Sequence, residues 1–140
     1  MDIGNLVSQE NANEGVWFQA VVYGKKQQFD MKILGSDSDK VKEFEREQFR
    51  KLNLSKKNIK NETFSDDVID DVLDSIDEKA IIRIAGIRSR DKDPLAINGI
   101  ELKSDKASYS LLLKKIPELK DFIMDKSEER TNFLSDRKKN

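Results

Sequence analysis

Val16-Trp17-Phe18-Gln19-Ala20-Val21-Val22-Tyr23-Gly24-Lys25-Lys26-Gln27-Gln28-Phe29-Asp30-Met31-Lys32-Ile33-Leu34 is the stretch on which the fold class turns. Val16 to Tyr23 is β-branched and aromatic, the composition of a strand. Gly24-Lys25-Lys26 supplies a turn, and Gln28 to Leu34 alternates, with Phe29, Met31 and Ile33 on one face. The two runs read as a hairpin that stops at Gly35. An isolated hairpin is marginal in water, so its apolar face must rest on helices. The expected class is therefore α+β, an N-terminal β-hairpin packed on a mainly α-helical domain of about four to five helices. Strand alternation sends Trp17 and Phe18 to opposite faces, so one of the two needs a cover or a partner.

Upstream, residues 1–14 are polar and rich in Asn and Glu, and read as a flexible arm whose Ile3, Leu6 and Val7 are available to dock. Downstream, Ser38 stands before a helical pattern of Val41, Phe44, Gln48 and Leu52, which predicts a helix from about Asp39 to Asn53. Leu54 to Thr63 is polar and basic and reads as a connection. Ser65, followed by Asp66 and Asp67, opens the clearest amphipathic pattern in the chain. Val68, Ile69, Val72, Leu73, Ile76, Ala80, Ile84 and Ile87 share one helical face, and Asp67, Asp70, Asp71, Asp74 and Glu78 the other. This predicts a helix over 65–87.

Arg88 to Pro94 reads as a loop. Asn98-Gly99, between Leu95-Ala96-Ile97 and Ile100-Glu101-Leu102, suits the type I′ turn of a small second hairpin. Ser108 is expected to cap a helix from Tyr109 to Ile116. Pro117 cannot continue it but suits the first turn of the next, Glu118 to Asp125. Ser127 with Glu128 and Glu129 is expected to start a last helix carrying Phe133 and Leu134. In this reading residues 15–134 form a single domain, with the hairpin at 16–34 and the helical part at 38–134, and 135–140 are a charged tail.

The 140 residues are the size of one domain. Hydrophobic residues make up 36% and charged residues 38%, a lean core inside a heavily charged surface. Lys plus Arg (26) and Asp plus Glu (27) nearly cancel, so net charge gives no reason to bind nucleic acid or an anionic membrane. The chain has no Cys and no His, which removes thiolate nucleophiles, disulfides, the usual zinc ligands and the side chain that titrates most readily near neutral pH. The N-terminus lacks the basic start and apolar run of a signal peptide. No apolar stretch approaches the about 20 residues that span a bilayer.

The acidic series Glu62, Asp66, Asp67, Asp70, Asp71, Asp74, Asp77 and Glu78 invites a metal or paired-carboxylate reading, but its spacing fits the solvated side of an amphipathic helix. The basic group Arg46, Arg50, Lys51, Lys56, Lys57 and Lys60 could contact phosphates, yet Glu43, Glu45 and Glu47 dilute it, and surface ion pairs account for it more simply. Gly-rich phosphate loops are missing, and Ser-Lys pairs such as Ser55-Lys56 have no partner base to activate them. The expectation is a protein that is not an enzyme, has no cofactor and holds no metal. Partner contacts are placed on the hairpin aromatics Trp17 and Phe18 and on Phe122, Ile123, Phe133 and Leu134 of the last helices.

Three segments carry a resemblance. They are Phe29-Asp30-Met31-Lys32-Ile33-Leu34 leading into Gly35-Ser36-Asp37-Ser38 and a charged helix; a long helix ending in Ala85-Gly86-Ile87, then Asn98-Gly99; and Tyr109-Ser110, Leu112-Leu113, Ile116-Pro117-Glu118-Leu119, Phe122-Ile123 and Asn132-Phe133-Leu134. Over roughly residues 16 to 134 this order resembles the small tail assembly chaperones of long-tailed, siphophage-type bacteriophages. Gly86 departs from the family, which often carries a tryptophan there.

The resemblance implies a helper made in the cytoplasm of the infected bacterium and missing from the mature virion. Such a helper coats the long, apolar, helical tape measure protein until tail-tube subunits displace it. The tape measure protein is the expected partner, with the tail-tube protein and a second copy of the chain beside it. A frameshifted longer form often accompanies such proteins, and a chain ending in Arg137-Lys138-Lys139-Asn140 would be the shorter. Two other readings stand beside it: a structural virion subunit of the tail-completion or connector kind, and a nucleic-acid-binding regulator resting on Arg46 to Lys60.

Overall fold

The computed structural model describes residues 3–4, 8–58 and 77–134 of the chain. Strand β1 (Val16–Val22) and strand β2 (Lys25–Ile33) form the expected antiparallel hairpin. Its turn is Tyr23-Gly24, both residues at positive φ (53° and 74°), the type I′ geometry that matches strand twist. The turn thus lies ahead of the expected Gly24-Lys25-Lys26, and both lysines belong to β2. Near Ala20 the register shifts, and the Gln19 side-chain amide donates to the Gln27 carbonyl (2.9 Å) across the irregularity.

The free edge of β2 is taken by a third strand, β3 (Ile84–Ser89), giving the order β1-β2-β3. This corrects the helix expected to run to Ile87. Among the described residues the helix covers 77–81 (α3), turns at 82–83, and is followed by extended chain that includes Ala85-Gly86-Ile87. The cause is a bulge. Lys32 pairs with Gly86 but Ile33 with Ile84, so Ala85 is an extra residue, and Ile84 and Ile87 both face the core although three positions apart. Residues 59–76 of the expected connection and helix lie outside the described residues.

The register lays Phe18, Met31 and Ile87 side by side on the inner face of the sheet. Ala20, Phe29, Ile33 and Ile84 join the same core. Against it pack α4 (Lys106–Lys115), through Tyr109, Leu112 and Leu113, and α5 (Leu119–Glu128), through Leu119 and Ile123. Ala80 of α3 and Leu102 complete the cluster. The fold is α+β, as its hairpin and helical patterns required. β4 (Ala96–Ile97) and β5 (Ile100–Glu101) form the second hairpin around Asn98-Gly99, again with φ positive at both positions (50° and 83°).

Several boundaries move for identifiable reasons. Residues Gln9–Glu14, assigned to a flexible arm, form a short helix (α1) with Asn11 and Ala12 buried. Asn11 Nδ2 donates to the Phe133 carbonyl (2.8 Å), and Gly35 N–H donates to the Ala12 carbonyl (3.1 Å). Helix α2 runs Asp39–Asn58, past the expected stop at Asn53, with Ser38 Oγ accepting from Val41 N–H (3.3 Å) at its start. The cap of α4 is Asp105, not Ser108: its carboxylate accepts from Ser108 N–H (2.8 Å), while the Ser108 hydroxyl accepts from Lys103 N–H (2.9 Å). Ser127 starts no helix. It lies inside α5, and the chain closes with a 3-10 helix, Arg130–Phe133. The tail at 135–140 lies outside the described residues. No helix among the described residues is long and apolar enough to cross a membrane.

Candidate functional site

Helix α2 touches the body along a narrow stripe. Val41 is buried and Phe44 and Gln48 are half-buried, while the intervening positions as far as Lys51 are exposed. The spacing of these three is the 3.6-residue period of one helix face. Beside the stripe lies an open groove of about 850 Å³ between α2, α3, β3 and the start of α4. Phe44, Ile81, Ile82, Ile84, Ala85 and Tyr109 supply apolar lining, and Lys40, Glu43, Glu47, Lys51, Glu78 and Lys106 carry charge around it. Farther along α2, Phe49 leaves 68% of its surface exposed. A concave apolar strip flanked by both signs of charge is suited to take the apolar side of an amphipathic helix.

A buried arginine adds a polar tie to α2. Arg83 is 1% exposed and follows α3 directly. Its Nη1 donates to the Lys79 carbonyl (2.7 Å), its Nε to Ser127 Oγ (3.0 Å), and its Nη2 reaches Ser36 Oγ (3.5 Å) and Glu45 Oε1 of α2 (3.4 Å). Burial pulls the guanidinium pKa down, and the Glu45 carboxylate opposes that shift. Ser127 gives its own proton to the Leu34 carbonyl (2.7 Å), so the 3.1 Å contact with Ser36 is a bond that Ser36 donates. One guanidinium thus ties α2, α3 and α5 to the end of β2.

The residues assigned to partner contact divide. Ile123 and Phe133 are buried in the interior and are unavailable to a partner. Phe18 meets Phe133 edge to face, with ring centroids 6.4 Å apart. The Lys126 ammonium stands over both Phe18 (5.6 Å) and half-buried Phe122 (5.9 Å). Phe18, Phe122 and Phe133 are therefore one cluster, partly roofed by Lys126, with Leu134 half-buried. Trp17 is on the opposite face of the sheet, its ring under the guanidinium of Arg88 (4.1 Å to the centroid).

The groove residues were legible only as core. Phe44, Ile81, Ile82, Ile84 and Tyr109 carry ordinary inward-facing signals, and nothing local in the sequence says that a face stays open. Of the basic group, Arg50 pairs with Glu47 on α2 (3.2 Å), an exposed ion pair, and Lys60 lies outside the described residues. Of the acidic series, Asp77 pairs with Lys120 of α5, and 62–74 lie outside the described residues.

No protein-family model matches this chain, and comparison with curated proteins and with solved structures likewise returns no match.

Proposed function

We propose that this protein is a non-enzymatic tail assembly chaperone of a long-tailed bacteriophage, acting in the host cytoplasm to bind the tape measure protein and keep it soluble. The observation that carries the proposal is the open groove along α2, whose Phe44, Ile81 and Ile82 offer apolar contact to a helix while Lys40, Glu43, Glu47 and Lys51 keep the rim hydrated. Reversible capture of a long apolar helix requires this combination, because burial of apolar area drives binding and a charged exterior keeps the complex soluble. The order of segments from Phe29 to Leu134 supports the same reading through its resemblance to those chaperones, although Ala85-Gly86-Ile87 sits in a strand.

Co-expression with the tape measure protein is the direct test. The tape measure protein is expected in the soluble fraction only when this chain is present, and to be lost from it with Phe44→Glu. Equal solubility with and without this chain overturns the proposal. Mass spectrometry of mature particles distinguishes the structural-subunit alternative, since a chaperone is missing from them.

A further inference from the structure

The outer face of the sheet carries an arrangement that the groove does not use. Strand register places Gln19, Asp30 and Arg88 in one row and Trp17, Lys32 and Gly86 in the next. Asp30 points away from the core, yet is only 6% exposed because two arginines cover it. Arg88 Nε donates to its Oδ2 (2.9 Å), and Arg90 Nε lies 3.5 Å from its Oδ1. Arg90 is fixed through its backbone as well, its N–H donating to the Gln28 carbonyl (3.0 Å). Both arginines face the aspartate through Nε. Their side chains remain 53% and 41% exposed, so both stay accessible from solvent.

Neutralising one carboxylate takes one arginine. Here Asp30 faces Arg88 and Arg90, with Lys32 in the neighbouring row, and the surplus is positive. The stacked Trp17 and the shared aspartate hold the guanidiniums still before anything binds, which lowers the ordering cost of a complex. Trp and Arg are also the residues on which interface energy concentrates.

We propose that Arg88 and Arg90, with Trp17 stacked beneath Arg88, form a docking surface for an acidic peptide segment of a partner protein, one carboxylate of which lies against the paired guanidiniums. A carboxylate fits better than a nucleic-acid strand. A strand needs a longer track of cations than this face provides. None of the three residues lines the groove beside α2, so the inference goes beyond the chaperone reading and does not depend on it.

Trp17 is the single tryptophan of the chain, so its emission reports on this surface alone. The purified protein is titrated at constant ionic strength with a twelve-residue alternating Glu-Ala peptide, its Gln-Ala counterpart and a twelve-nucleotide oligothymidylate. The acidic peptide is expected to give a saturable change in emission and the neutral peptide none. Arg90→Gln, which leaves the indole and its Arg88 contact in place, is expected to weaken binding about tenfold. If Arg90→Gln lowers the thermal midpoint enough to obscure the titration, Lys32→Gln is the second variant, expected to weaken binding about threefold. Absence of a saturable change, identical affinity in the folded variants, or tighter binding of oligothymidylate than of the acidic peptide overturns the proposal.

Discussion

Arg83 Nε lies 3.0 Å from Ser127 Oγ, and that hydroxyl in turn donates to the Leu34 carbonyl at 2.7 Å. A fully buried cation is thereby satisfied by groups from four segments of the chain. Arg83→Met removes the donor and leaves Ser127, Ser36 and the Lys79 carbonyl short of partners, at a cost of about 2–4 kcal/mol. The expected fall in thermal midpoint is roughly 10 °C. Arg83→Lys should recover little of it, since one ammonium cannot reach Lys79, Ser127 and Glu45 at once. Calorimetry of the two variants checks this, and a near-wild-type midpoint for Arg83→Lys would refute the network as described.

The indole of Trp17 lies across Gly86, where an added Cβ would sit 3.1 Å from Cη2. Gly86→Ala gains strand propensity and asks the ring to give by a few tenths of an ångström, so stability should change by less than about 1 kcal/mol. The emission maximum of Trp17 should nevertheless shift as the ring moves against Arg88. Gly86→Val should shift it further. Unchanged emission in both variants would show that the indole does not rest there.

Gly35 is the seat of α1: a Cβ at that position would fall 2.6 Å from the Cβ of Ala12. Gly35→Ala should therefore lift α1 and cost about 1–3 kcal/mol through overpacking. Hydrogen exchange should rise at the amides of Ala12 and Gly15, which are bonded within the α1 turn, and stay unchanged in β2 and β3. Exchange that rises equally throughout the sheet would mean that α1 is not a separable element.

The carboxyl of Asp105 is held below its ordinary value of 3.8, chiefly by the Ser108 backbone N–H it accepts at the start of α4. A carboxyl lowered in the folded state contributes stability that is complete above the ordinary value and is lost as pH falls through the lowered one. Asp105→Asn keeps an acceptor at the cap but no longer titrates. Its stability should decline less steeply than wild type on acidification below about pH 4, with the two curves parallel near neutrality. Denaturant unfolding measured at several pH values decides the matter, and parallel curves throughout would remove Asp105 from the acid response. Asp37, lowered by its contact with Arg130, adds to the residual slope in both proteins.

How far these features could be read from the chain depended on whether their cause was local. The hairpin at 16–34 and the Asn98-Gly99 turn are fixed by neighbours in sequence, and both were legible. Ile84 and Ile87 were not. Their spacing of three is a helical signal, and only the extra residue Ala85, opposite Lys32 and Ile33, lets a strand bury both. Polar Asn11 gave no hint of burial because its partner, the Phe133 carbonyl, is at the other end of the chain. Ser127 looked like a cap because a serine before two glutamates usually is one, whereas its partners Arg83 and Leu34 are distant in sequence. The groove escaped detection for the related reason that openness belongs to an assembled surface.

The central position of β2 also orders events in time. One edge of β2 meets its partner across the two-residue turn at Tyr23-Gly24, but the other must wait for β3, which follows Arg83. A chain leaving the ribosome can zip the first pair almost at once, while the second requires a long loop to close. Until Ile84 to Ser89 has been synthesised, Met31 and Ile33 stand beside an open strand edge, the kind of surface that recruits a wrong neighbour. The growing chain therefore passes, during its own synthesis, through a stage in which an apolar strand edge lies bare.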